Sequence, residues 1–161
     1  KGRLLGASAL AAVSGAFIVN AVTLVQLHPY EYLFFNPLVS GLEGASRRFD
    51  MDYWSNIMPE AVESLEAFIN QKERAQPSLR PIYTVGVCGE RESFENETKN
   101  DPRLVWVDEW EEADFFISST QMDCDRRMAG ETIASITRFG VPIGVVKDRR
   151  AITRPWLSRN P

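Results

Sequence analysis

Histidine and cysteine are nearly missing from this 161-residue chain, which has one His and two Cys. A tetrahedral zinc centre needs several closely spaced thiolate and imidazole ligands, and His28 with the distant Cys88 and Cys124 does not supply them. No Gly-rich phosphate loop is present either: Val85-Gly86-Val87-Cys88-Gly89 has two glycines but lacks the third and the long helix that should follow. Internal repeats and low-complexity tracts are absent. Most informative is a local lack of charge, because the 24 residues from Leu4 to Leu27 contain no Asp, Glu, Lys, Arg or His.

At a rise of about 1.5 Å per residue such a helix reaches about 36 Å, enough to cross a hydrocarbon layer about 30 Å thick. Three readings compete for the segment: a membrane anchor, a cleaved signal and a buried core helix. The anchor is preferred. A signal's apolar region is shorter and ends in a small-x-small site, which Val25-Gln26-Leu27-His28 is not, and apolar residues occupy all sides rather than one stripe. Gly6, Ser8, Ala12 and Gly15 are small enough to let a second helix approach closely, and Asn20 calls for an interhelical hydrogen bond. Lys1 and Arg3 precede the span and no basic residue follows it until Arg47, so the N-terminus is expected in the cytoplasm and the rest in the periplasm. Beyond residue 27 the net charge is −6, which disfavours nucleic acid as a partner.

The remainder divides by composition. Residues 28–58 mix aromatics with Pro and Gly and are expected to form an interfacial loop, with His28, Tyr30, Tyr32, Phe35, Tyr53 and Trp54 at the membrane surface or on a partner. Residues 59–150 are expected to form an exterior α/β domain. Its helix starts at Pro59 and runs to about Lys72, with Ala61, Val62, Leu65, Phe68 and Ile69 on one face. Short apolar runs at 82–87, 104–107 and 114–118, then 131–139 and 141–146 around Gly140, predict a mixed sheet of four or five strands ending in an antiparallel hairpin. A parallel arrangement would place Cys88 and Cys124 at the same sheet edge; a disulfide and two separate buried thiols both fit. Residues 151–161 are expected to form a C-terminal tail, with Trp156 as a partner contact.

The segment Leu27-His28-Pro29-Tyr30-Glu31-Tyr32-Leu33-Phe34-Phe35-Asn36-Pro37-Leu38-Val39, with Gly41, Gly44-Ala45 and Asp52-Tyr53-Trp54, resembles the C-terminal region of bacterial membrane glycosyltransferases that use polyprenyl-linked sugars, of the protein mannosyltransferase and aminoarabinose transferase type. Gly140-Val141-Pro142-Ile143-Gly144-Val145-Val146-Lys147 is similar to the last hairpin of their exterior domain. The resemblance implies a final membrane helix followed by a small α/β domain. It carries over no catalytic residue, because the acidic and lipid-phosphate-binding residues of that family belong to earlier loops and helices. The second glycine of the family's usual pair is absent at Ser40-Gly41.

Catalytic, cofactor and metal sites are therefore expected to be absent. His28 has no neighbouring nucleophile or orienting acid and reads as structural. Asp50-Met51-Asp52 and Asp123-Cys124-Asp125 have a metal-binding spacing, yet Asp52 reads better as a helix cap or turn residue. Asp108, Glu109, Glu111, Glu112 and Asp114 read as a solvated face. Three functions fit: an accessory, non-catalytic subunit of a larger bacterial membrane complex contacting other membrane subunits and the bilayer; the C-terminal part of a polyprenyl-sugar-dependent glycosyltransferase; and a periplasmic sugar- or lipid-binding module using Tyr53 and Trp54.

Overall fold

The computed structural model describes residues 2–46, 48–75 and 82–154. The chain has two compact units, Lys1–Ala45 and Ser46–Pro161. The fold is α/β: a long apolar helix, then a mixed five-stranded sheet with helices.

The first unit is dominated by helix α1, Gly2–Leu27. Its stretch Gly6–Leu27, 22 residues, is long and apolar enough to cross a membrane. Large side chains project outward along it, with Leu10, Phe17 and Val25 at 68%, 71% and 76% exposure. Beyond it the expected loop is ordered, built from short turns. One 3-10 turn spans Glu31–Leu33 and another Pro37–Val39, followed by a short helix α2, Gly41–Ala45. The second turn forms because Asn36 accepts the Leu38 amide at 2.9 Å and Pro37 fits its first position. Ser40 and Gly41 both take left-handed φ angles of 62°, so Ser40 adopts the conformation glycine would favour. Residues 46–58 group with the second unit.

The second unit is built around strands β1 (Tyr83–Cys88), β2 (Leu104–Trp106), β3 (Phe115–Ser119), β4 (Glu131–Arg138) and β5 (Val141–Asp148), in the order β2-β1-β3-β5-β4. β1 is parallel to β2 and β3, whereas β5 is antiparallel to β3 and β4. β4 and β5 form the expected hairpin, closed by Phe139 and Gly140 at φ 50° and 76°, the twist a two-residue turn requires. β4 carries two irregularities, between Thr132 and Ala134 and between Ile136 and Thr137. Helix α3, Met58–Ala75, is one turn longer than expected at its C-terminus, where Glu73 accepts from Tyr83 and Arg103.

One sheet face packs on α3, burying Ala61, Val62, Leu65 and Ile69 against Val85, Phe115, Ile117 and Val146. Phe68, Tyr83 and Phe115 meet edge to face there, and the Arg150 guanidinium sits 4.9 Å from the Phe115 ring. Helix α4, Arg91–Thr98, packs on α3. On the opposite face Trp110 covers Gly86, where a Cβ would lie 3.2 Å from the Trp110 ring, so the strand is glycine to admit the indole. Helix α5, Cys124–Arg127, lies on this face too, with Lys147 Nζ donating to the Asp125 and Met128 carbonyls at 2.6 and 2.8 Å.

The expected solvated acidic face is corrected at one position. Asp108, Glu109, Glu111 and Glu112 are exposed, but Asp114 is fully buried. Its Oδ2 accepts the Thr84 amide at 3.1 Å, its own amide donates to Thr84 Oγ1 at 3.0 Å, and Arg154 Nε lies 2.8 Å from Oδ1, close enough for an ion pair though not aligned as a hydrogen bond. Burial without such partners would be prohibitive for a carboxylate. The tail expected from residue 151 is also corrected, because helix α6, Arg150–Thr153, and Arg154 are tied to the domain through Asp148 and Asp114. Residues 155–161, including Trp156, lie outside the described residues.

Arg149 is 4% exposed and donates to four backbone carbonyls, those of Trp110, Glu111, Ala113 and Ala129. Burial lowers its pKa, so these bonds are what keep the cation there. Arg149→Met, which fills the space but orphans the carbonyls, should cost about 3 kcal/mol in equilibrium denaturation.

Arg103 joins β2 to α3, contacting Asp101 at 2.6 Å and Glu73 at 2.9 Å. Hydrogen bonding from Arg103 holds the Asp101 carboxyl below its ordinary range. A depressed folded-state pKa stabilises the fold above the ordinary aspartate range and loses that contribution as pH falls through the depressed value. Urea titrations should therefore show Asp101→Asn weakening the domain at neutral pH, with the gap to the parent closing in acid.

Candidate functional site

β1 and β3 are parallel neighbours whose chains leave in opposite directions. β1 leads to α4 on the α3 face, and β3 leads to α5 on the Trp110 face. In open α/β sheets such a divergence opens a crevice at the carboxyl ends of the strands, where ligands bind. Here the crevice is stitched and overlaid. A disulfide joins Cys88, the last residue of β1, to Cys124, the first of α5, with Cα atoms 6.3 Å apart. Residues 48–57 run across the same edge, with Ser55 Oγ accepting the Glu90 amide at 3.0 Å.

Between these pieces lies a cavity of about 320 Å3, lined by Arg48, Phe49 and Asp50 on one side and Thr120, Met122 and Asp123 on the other. Four non-glycine residues around it hold left-handed backbone: Asp52, Ser55, Met122 and Asp123, with φ of 50°, 56°, 48° and 54°. Such conformations persist only where surrounding contacts enforce them, and they concentrate at functional sites. The enforcing contacts here are the disulfide next to Asp123 and the hydrogen bonds of Asp52 and Ser55.

The two Asp-x-Asp motifs divide in an unexpected way. Asp52 is buried, and its two carboxylate oxygens accept the amides of Asn56 at 2.6 Å and Ile57 at 3.0 Å, fixing the turn that enters α3. Asp50, two residues earlier, faces the cavity, as does Asp123 from the other motif. The structure thus brings together the first residue of each motif and neither motif as a pair. Sequence reasoning missed Arg48, Phe49, Thr120 and Met122, because only the strand order places 48–50 beside 120–123. Among the described residues no group of three or more His, Cys, Asp or Glu is arranged to hold a metal ion.

The other expected contact residues are scattered. His28 is exposed, and its Nδ1 lies 2.6 Å from Glu31 Oε1, which holds the Glu31 carboxyl below its usual range. Tyr30 is 2% exposed and meets Tyr32 edge-on at 6.2 Å, so Tyr32, at 45% exposure, is the ring this pair offers outward. This corrects the expectation for Tyr30, whose ring is enclosed. Phe35 is half-buried. Tyr53 and Trp54 are 61% and 70% exposed and pack edge to face at 5.0 Å, a paired aromatic projection beside Asp52. Gly6, Ser8, Ala12, Gly15 and Asn20 are all exposed along α1, with open space where a Cβ on Gly6 or Gly15 would lie.

No protein-family model matches the chain, and neither a curated protein nor a solved structure is significantly similar to it.

Asp52→Ala should lower stability by about 1–2 kcal/mol, the usual loss for a carboxylate that caps backbone amides. Thermal melting should show the same loss with and without divalent cations, as a capping role requires and a metal-binding role does not.

Proposed function

We propose that this chain is the membrane-anchored exterior module of a larger bacterial membrane assembly, a non-catalytic subunit that holds on through α1 and contacts neighbours through its α/β domain. The observation that carries this reading is the run of apolar side chains on all sides of Gly6–Leu27, which, apart from Leu27 at its end, no element among the described residues covers. Lipid covers such a surface, and Ser8, Ala12 and Gly15, small and on one face, would let a second helix from a partner approach closely. Exterior placement is supported by the basic flank of α1 and by the Cys88–Cys124 bridge, since disulfides persist in oxidising compartments. The exposed Tyr32, Tyr53 and Trp54 suit contact with lipid headgroups or with neighbouring subunits.

A second reading makes the chain the C-terminal part of a polyprenyl-sugar-dependent glycosyltransferase, and one observation favours it. In the segment that resembles that family, Ser40 and Gly41 both take left-handed backbone, a conformation that suits a glycine pair.

Purification from native membranes in a mild detergent, followed by mass spectrometry and by sizing of the polypeptide itself, tests both readings. The subunit reading expects stoichiometric membrane proteins alongside a short polypeptide. A polypeptide several times longer establishes the transferase reading, and recovery in the soluble fraction without detergent defeats both.

A further inference from the structure

Isolated apolar side chains on a surface need no explanation, but a gathering of them at one place does. Among the described residues of the second unit eight large apolar side chains are exposed, and five share one end: Phe49, Tyr53, Trp54, Met122 and Phe139, at 54%, 61%, 70%, 64% and 53%. That end is where β1 and β3 finish. Met122 follows β3 directly, and Phe139 sits at the tip of the β4–β5 hairpin. The hairpin runs past β3, because Ser119 at the end of β3 pairs with Gly144 while Val141, Pro142 and Ile143 extend beyond. Residues 48–57 are held at the same end by Ser55 on the Glu90 amide and by Ile57 packed on Gly144. Arg138 then ties the hairpin to the start of α3 through Glu60, at 2.7 Å.

Two of the five occupy backbone that opposes them. Phe139 takes φ 50° at the first position of a two-residue hairpin turn, where Asn, Asp or Gly is ordinary and a bulky side chain is disfavoured. Met122 takes φ 48°. Both side chains are exposed, so the domain core gains little from holding them there. The gain comes from a partner outside the domain.

The shape of the surface selects that partner. The five side chains project from three separate segments, which also carry the charged Arg48, Asp50 and Asp123. A protein interface needs a contiguous, closely packed apolar core. The interfacial layer of a bilayer is fluid instead, and it accepts separate aromatic anchors whose charged neighbours stay in water.

We propose that this end of the domain docks on the bilayer surface, with Trp54, Tyr53, Phe49, Met122 and Phe139 entering the interfacial layer. The opposite end then faces water; it carries Ile152 of α6, beyond the point where Asp148 pairs with Phe115 at the start of β3. Lipid as the occupant rests on the anchoring proposed above, and the segment that bears Phe49, Tyr53 and Trp54 opens the second unit directly after the unit with the apolar helix. A net charge of −6 beyond residue 27 leaves apolar contact as the means of attachment, since anionic headgroups repel such a domain.

The test places the full chain in nanodiscs of phosphatidylcholine brominated near the headgroup end of its acyl chains, and compares tryptophan emission with that in unbrominated discs. Trp54 is read as the difference between the parent and Trp54→Phe. Phe139→Trp, and Ile152→Trp as the far-end control, are each read as differences from the parent. Loss of emission on bromination is expected at positions 54 and 139 and not at 152. Circular dichroism verifies each fold, and the two tip probes are independent, so one misfolded variant leaves the other decisive. In an inserted chain, a folded tip probe that is not quenched, or a control quenched as strongly as the tips, overturns the docking alone. Tips shielded from aqueous iodide yet untouched by bromine assign this end to a second copy of the chain and overturn the docking likewise. A chain recovered apart from the discs overturns the anchoring, and this proposal with it.

Discussion

The Arg149 guanidinium is the interaction on which the domain's second face depends. The α3 face holds together by apolar burial, a non-directional force that tolerates small shifts. The other face has less to bury: the Trp110 indole on Phe116, one disulfide and a four-residue helix. It is ordered by direction instead. Arg149 collects the carbonyls at the end of the Trp110 turn and that of Ala129, while the Arg149 amide donates to Asp114 O at 2.8 Å. Next door, Asp114 and Thr84 exchange hydrogen bonds that fix the start of β3 against β1. The register of the parallel strands, and so the width of the crevice at their far ends, follows from this polar lattice.

At those far ends the constraint changes from hydrogen bonds to covalent chemistry. The 36-residue separation between Cys88 and Cys124 spans α4, β2 and β3, so the bridge closes these elements into one loop tied to the end of β1. Constraining the unfolded chain over such a loop stabilises the native state. It also fixes the residues immediately before Cys124, which form one wall of the cavity, while Asp52 fixes the other by its grip on the approach to α3. Two unrelated devices therefore hold two short segments face to face.

Much of the architecture was legible from pattern alone. The uncharged run at residues 4–27, the β-rich runs at 82–87 and 141–146, and the helical spacing of Ala61, Leu65 and Ile69 each follow from a single local rule, and each matches an element. The differences arise where long-range contacts override local signals. Asp114 reads as one more acid in an acidic stretch, yet its position at the start of the buried strand β3, beside Thr84 and Arg154, takes it out of solvent. The cavity was hidden for the same reason: Asp50 and Asp123 are 73 positions apart, and no spacing rule connects them. Ser40 takes positive φ as the C-cap of the Pro37–Val39 turn, its amide donating to the Pro37 carbonyl at 3.0 Å.

The margins of the sheet limit how another chain could attach to the domain. One edge strand, β2, is only three residues long, and the other, β4, is broken twice by irregular register. Short and bulged margins offer no continuous row of free amides and carbonyls for another chain to zip onto. The domain is thus protected from accretion through its backbone. Its contacts must be made through side chains, which can be specific in a way that main-chain pairing is not.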